Sequence, residues 1–248
     1  MHGPLQYQLD PKRITTFLAV LAGILLTVHL FAAYAWAEGD WFIFTERDWV
    51  SYKYVKMFDL DEEESFGTWF AAIILLFSGR LLLMITHDSR RAGDGFWGWW
   101  LILAIGFHYL SIDEVAGMHE YVNTYRDDFG WVDVNWTHYA AVVVLMIFAF
   151  YIPFLVLLTK AGHKKTMILM MISGAIYIGG AVVVEKFGPH DDFDAMAYNM
   201  GWVTWEEGFE MAGIILFIYT LLDYLRGTRD TRIVVDVTPL PKDGKAAA

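Results

Sequence analysis

The chain has 248 residues, of which 56% are hydrophobic and 17% aromatic, and its formal net charge is −11. Together with a mean hydropathy of +0.39, this composition is that of a membrane protein rather than of a soluble domain. The absence of cysteine excludes disulfides, thiolate metal ligands and thiol nucleophiles. The acidic balance argues against nucleic acid as a partner.

Six apolar runs are long enough to cross a bilayer, which takes about 20 residues as a helix. They predict an all-α fold, a six-helix transmembrane bundle with spans near 14–36, 66–86, 96–116, 137–159, 166–185 and 202–225. The first run could be mistaken for a secretory signal, because Ala35-Trp36-Ala37 resembles a cleavage site. Its apolar part is about twice as long as a signal core of roughly 7–15 residues, so we interpret it as a true span.

The distribution of basic residues predicts the orientation of the bundle. If the N-terminus is cytoplasmic, the inner segments hold 13 of the 18 Lys and Arg residues. The positive-inside rule therefore places both termini in the cytoplasm, in a bacterial inner membrane. We divide the chain into a transmembrane domain, 1–225, and a cytoplasmic tail, 226–248. Within the tail, residues 232–241 could form an extended segment only if they found a partner strand.

The longest outer loop, 38–65, is rich in aromatic residues and ends in an acidic run. This composition indicates an interfacial belt or a short amphipathic helix lying on the membrane. Ser65 is positioned to cap the second span, whose N-terminus also suits the acidic residues before it. Calcium binding by the acidic run is the alternative, but the spacing and glycine of an EF-hand are absent.

Ionisable residues gather where the third span ends and the sixth begins. Such groups near membrane depth usually face a protein interior or a wet cavity. Asp113 and Glu120 are seven residues apart and share a helix face, and Glu206 and Glu210 stack one turn apart. We therefore predict one shared polar site at the outer membrane boundary. Its candidate metal ligands are Asp113, Glu114, His119, Glu120, Glu185, Glu206, Glu207 and Glu210, with His108 and His138 as secondary candidates.

Carboxylates packed this closely cannot all stay ionised without compensation, so a cation, shared protons or exposure to water must relieve the repulsion. A mixed carboxylate and imidazole set suits zinc, iron or manganese, and carboxylates alone suit calcium or magnesium. The Glu-x-x-His spacing of di-iron bundles and the His-Glu-x-x-His of zincins are both absent. The prediction of a divalent metal thus depends on the cluster and not on a motif. A solvated acidic rim at helix N-termini is an equal alternative.

Other polar residues favour structural roles. His29 is interpreted as a hydrogen-bonded packing residue, and axial ligation of a haem by His29 and His108 is disfavoured because nothing in the sequence brings them together. Arg80 and Asp223 are the main polar exceptions in the inner halves of the spans and are predicted to pair, which leaves too few polar groups for an ion pathway. No Gly-x-Ser-x-Gly elbow supports Ser111 as a nucleophile.

Aromatic and small residues complete the pattern. Trp97, Trp99 and Trp100 open the third span and are predicted to anchor it at the inner interface. The glycines of the fifth span, Gly174, Gly179 and Gly180, predict close contact with another helix.

The segment Ser111-Ile-Asp-Glu114, followed by His119-Glu120 and later by Glu206-Glu207, resembles a pattern in uncharacterised multi-spanning bacterial membrane proteins. The resemblance covers two short helix ends and implies a shared site without an activity. Three functions remain open: a cation-binding membrane protein of unassigned activity, an accessory or structural subunit of a larger membrane complex, and a membrane-embedded metal-dependent enzyme.

Overall fold

The computed structural model describes residues 5–38, 49–60, 62, 64–118, 145, 147–184, 196–228 and 232–235. This part of the chain is almost wholly helical. Its helices are α1 (Pro11–Glu38), α2 (Trp49–Phe58), α3 (Phe66–Ala92), α4 (Trp97–Ala116), α5 (Ile152–Lys160), α6 (Lys164–Ile178) and α7 (Met196–Thr228). A π-helical turn, Ile147–Tyr151, leads into α5, and a second one, Gly179–Val184, continues α6.

Within the described residues, four helices are long and apolar enough to cross a membrane: Pro11–Tyr34, Phe66–Ala92, Lys164–Val184 and Gly201–Thr228. They coincide with the first, second, fifth and sixth predicted spans. A protein with several membrane-length helices is therefore confirmed.

The third and fourth predicted spans are not among these four helices. Helix α4 covers the third, but its residues His108, Asp113 and Glu114 lower its mean hydropathy and keep it out of the four. Only the last part of the fourth is described, as a shorter apolar helix, Ala149–Lys160, and residues 119–144 before it lie outside the described part.

The loop 38–65 contains a short helix, α2, which is one of the two structures that its aromatic pattern indicated. The prediction that Ser65 caps the second span is confirmed, because its hydroxyl accepts a hydrogen bond from the backbone N–H of Thr68 at 3.1 Å. The second span was predicted to end near residue 86, but the helix that contains it is longer. Helix α3 continues past the apolar run to Ala92 and ends where Gly93 adopts a left-handed φ of 68°. Polar residues beyond the membrane continue a helix until a residue such as glycine terminates it.

Helix α7 is the central element of the fold, since it packs against α1, α3 and α6, while α4 packs mainly against α3. The core along these contacts is apolar and contains Ile74 and Leu82 of α3, Leu158 of α5 and Ile218 of α7, all fully buried. The predicted position of Trp100 at the interface is wrong, because its side chain is 0% exposed and lies edge-on to Phe154 with ring centroids 4.7 Å apart.

The two ends of the described chain meet in a small antiparallel sheet. Strand β1 (Leu5–Gln8) pairs with β2 (Arg232–Val235), and Leu5 lies opposite Val235. The tail segment thus has the partner strand that it required. Because β1 closely precedes α1 and β2 closely follows α7, the start of α1 and the end of α7 lie at the same end of the bundle.

Candidate functional site

Two glycines bring α6 and its π-helical continuation into direct backbone contact with α7. A Cβ atom at Gly213 would lie 2.7 Å from the backbone nitrogen of Tyr177, and one at Gly180 would lie 2.6 Å from the carbonyl oxygen of Glu206. Neither site has room for a side chain. The predicted close contact by glycines of the fifth span is confirmed at Gly180, whereas a Cβ at Gly179 would meet nothing within 4 Å. Close approach here brings α6 against the carboxylates that open the sixth predicted span.

The centre of the carboxylate cluster is Tyr177 of α6. Its hydroxyl donates a hydrogen bond to the carboxylate of Glu210, and the carboxylates of Glu114 and Glu207 lie close enough to interact with it electrostatically. Carboxylates of α4 and α7 therefore both act on one side chain of α6. Sequence reasoning missed Tyr177, although its position three residues before Gly180 puts it on the same helix face as that contact glycine.

Aromatic side chains of α4 and α7 also meet inside the bundle. Phe107 stacks on Phe217 with ring centroids 4.6 Å apart and an interplanar angle of 2°. Farther from the cluster, the ring of Trp100 packs against the ring of Tyr224 with centroids 5.1 Å apart.

The described carboxylates of the predicted site differ in burial. Asp113 is 6% exposed, the other four are half-buried, and each of the five has an interaction partner: Asp113, Glu114, Glu206, Glu207 and Glu210. Among the residues that the structure describes, no group of three or more Asp, Glu or His side chains is placed to hold a metal ion. The remaining primary candidates, His119, Glu120 and Glu185, and the secondary candidate His138 lie outside the described residues.

His108 faces α3 and not the carboxylate cluster. A Cβ atom at Gly79 of α3 would lie 2.6 Å from its Nδ1, so the imidazole occupies a notch that this glycine leaves. Its Nδ1 donates a hydrogen bond to the carbonyl oxygen of Ala104 at 2.7 Å. One turn further along α4, the hydroxyl of Ser111 donates a hydrogen bond to the carbonyl oxygen of Ala72 on α3 at 2.8 Å. This hydrogen bond accounts for a polar side chain on the face of α4 that packs against α3.

His29 is a hydrogen-bonded packing residue, as predicted. The ring is fully buried, and its Nδ1 lies 3.1 Å from the carbonyl oxygen of Phe58 and 3.2 Å from the backbone nitrogen of Leu60. The carboxylate of Asp59 lies 3.7 Å from the same nitrogen. His29 thus holds the segment that follows α2 against α1.

The predicted pair of Arg80 and Asp223 is wrong. The carboxylate of Asp223 lies 2.6 Å from the ammonium of Lys165 and 3.5 Å from the guanidinium of Arg226. Lys165 starts α6 at the level of Asp223, and its long side chain reaches the carboxylate more easily than Arg80, which is exposed on α3.

The fold and its polar site define a helical, membrane-type protein with carboxylates gathered at one helix crossing. Residues 14–225 match the model of a family described as Domain of unknown function (DUF8692), and the chain belongs to that family. No curated protein and no solved structure matches the chain.

Proposed function

We propose that the chain is a multi-pass protein of a bacterial inner membrane that binds a cation at the outer boundary of the bilayer. In this proposal six helices span the membrane and both termini lie in the cytoplasm. The activity that the bound cation serves is unassigned.

The observation that carries the proposal is the gathering of three carboxylates around one tyrosine hydroxyl. Glu114, Glu207 and Glu210 all interact with Tyr177, and α6 and α7 touch backbone to backbone beside them. Carboxylates that share one site repel one another, and a cation relieves this repulsion while a low-dielectric surrounding strengthens its binding. Oxygen donors of this kind favour calcium or manganese, and imidazoles from His119 and His138 would extend the choice to zinc or iron.

The pairing of β1 with β2 supports the topology. It puts the start of α1 and the end of α7 at one end of the bundle, so an even number of spans connects them. The excess of basic residues in the segments at that end favours the cytoplasm.

Elemental analysis and chelator titration of the detergent-purified protein test the cation directly. We expect about one calcium, manganese, zinc or iron per chain, and a melting temperature that falls when a strong chelator is added. Glu210→Gln removes a ligand charge and should lower metal retention, and the melting temperature of this variant should then respond little to chelator. Glu64→Gln is the matched control, because Glu64 is an exposed carboxylate outside the cluster.

Metal-free protein whose melting curve is unmoved by chelator would refute the proposal. In that case Glu210→Gln should leave stability level or raise it slightly, because the substitution then removes only like-charge repulsion.

Arg80 favours a second candidate, the accessory subunit of a larger membrane complex. It lies within the membrane-length part of α3 and is exposed, and the described residues contain no carboxylate paired with it. A guanidinium at membrane depth usually has a protein partner or reaches toward the headgroups. Arg80→Leu should release a co-purifying subunit if a partner's carboxylate holds it, whereas Arg91→Leu, in the last turn of the same helix, should not. An unchanged subunit composition would exclude this role for Arg80.

A further inference from the structure

A polar cavity of about 220 Å³ lies at the end of the bundle opposite the carboxylate cluster. Three parts of the chain form it: the end of α3 with the turn after it, the turn between α5 and α6, and the last turns of α7. Ser89 and Tyr224 are buried in its wall, while Asp94 and Thr228 are exposed at its rim. The cavity is therefore open at this end of the bundle, where α3 and α7 end.

The polar lining is acidic and aromatic. It contains the carboxylates of Asp88 and Asp94 and the rings of His163 and Tyr224. The centroids of these two rings lie 5.1 Å apart. No Lys or Arg is among the lining residues. Two carboxylates beside an aromatic face attract a cation both by charge and through the ring quadrupole. This acidic lining is exceptional at an end of the bundle where basic residues predominate.

The carboxylate of Asp94 is held in place by its own turn. Its Oδ1 accepts hydrogen bonds from the hydroxyl of Ser89 and from the backbone N–H of Phe96, the latter at 2.9 Å. Gly93 and Gly95, on either side, have φ angles of 68° and 80°, a conformation that residues with a side chain rarely adopt. A carboxylate fixed in this way loses little conformational freedom when it binds a ligand.

We propose that this cavity binds a primary ammonium group, with the carboxylates of Asp88 and Asp94 as its acceptors and the ring of Tyr224 beside it. The ring of Tyr224 beside the two carboxylates suits an organic ammonium, which the ring attracts through its quadrupole while the carboxylates accept its hydrogen bonds. Arg90 and Arg91 are exposed on the last turn of α3, so a ligand that carries its ammonium next to a phosphate suits both charges. The headgroup of phosphatidylethanolamine has this chemistry, and a soluble amine is the other source.

The test uses the full chain in nanodiscs and compares phosphatidylethanolamine with phosphatidylcholine, whose quaternary ammonium donates no hydrogen bonds. We expect a higher melting temperature in phosphatidylethanolamine. In phosphatidylcholine discs, free ethanolamine is added as the soluble probe. A shift with the lipid alone assigns the headgroup, and a shift with free ethanolamine assigns a soluble amine.

Asp94→Asn should abolish whichever shift is seen and weaken binding about tenfold, in line with the loss of a charge-assisted hydrogen bond. Asparagine keeps the Oδ1 acceptor that the turn uses, so the variant should fold, and Asp88→Asn provides an independent second variant. Glu64→Gln, at an exposed position outside the cavity, should leave the shift unchanged. The proposal would be overturned if the melting temperature were equal in both lipids and did not respond to ethanolamine. It would also be overturned if the shift in melting temperature persisted in both aspartate variants. Chelator sensitivity is separate, because it reports on the opposite end of the bundle.

Discussion

Gly180 lies against the carbonyl oxygen of Glu206 so closely that a Cβ at position 180 would be 2.6 Å from it, and 3.0 Å from the Cγ of Glu210. The segment that follows α6 therefore touches α7 at two of the residues that carry the carboxylates. Any added atom at this point must move either the backbone of α7 or the Glu210 side chain.

Gly180→Ala should destabilise the protein by about 1–3 kcal/mol, the usual cost of overpacking a close contact. Gly179→Ala is the matched control in the same π-helical segment, because a Cβ there meets nothing within 4 Å. The control should be neutral or more stable by up to about 1 kcal/mol, since alanine favours helix over glycine. Equal melting temperatures for the two variants would contradict the close contact of Gly180 with α7.

Trp100→Ala and Trp97→Ala should differ strongly in their effect on stability. Trp100 is fully buried against Phe154 and Tyr224, so its removal should cost about 3–5 kcal/mol. Trp97 is 42% exposed and has the guanidinium of Arg90 5.5 Å from its ring centre, a contact worth about 0.5–1 kcal/mol at an exposed site. Denaturation of the two variants in the same detergent measures the difference, and similar losses would mean that both residues are interfacial anchors.

Asp10 should make the start of α1 sensitive to acid. The backbone N–H of Arg13 donates a hydrogen bond to its carboxylate at 3.0 Å and holds the pKa of Asp10 below its ordinary value of 3.8. A carboxyl group whose pKa is lowered by folding stabilises the folded state above the ordinary pKa, and this contribution disappears as the pH falls through the lowered pKa.

An NMR titration of the Asp10 carboxyl should therefore have its midpoint below 3.8. Asp10→Asn keeps an oxygen acceptor for the cap and should remove this part of the pH dependence. A midpoint at or above the ordinary value would show that the hydrogen bond does not persist in solution.

Single cysteines report the orientation, because the natural chain has none. Lys53→Cys on α2 and Lys164→Cys at the start of α6 replace exposed residues. An impermeant thiol reagent applied to intact cells should label position 53, and position 164 should react only after the cells are opened. The reverse result would invert the proposed topology and move the carboxylate cluster to the cytoplasmic side.

The sequence by itself determined the helical class with several membrane-length helices, four of the predicted spans and the cap at Ser65. These features follow from local patterns: apolar runs of membrane length, and a hydroxyl residue directly before such a run. The same local logic anticipated the packing role of His29 and the contact at Gly180. It also predicts that Glu114, Glu207 and Glu210 share one site, because ionisable groups at membrane depth are costly unless they share a polar surrounding, and this stays a prediction.

Only the tertiary structure decided which groups meet. It brought Tyr177 to Glu210, gave Asp223 the ammonium of Lys165 instead of Arg80, and buried Trp100 in the core. Composition could not distinguish these outcomes, since the rotation of each helix about its axis is set by contacts with its neighbours. In this protein the backbone contacts at Gly180 and Gly213 fix that rotation for α6 and α7, because there each helix touches the other without an intervening side chain.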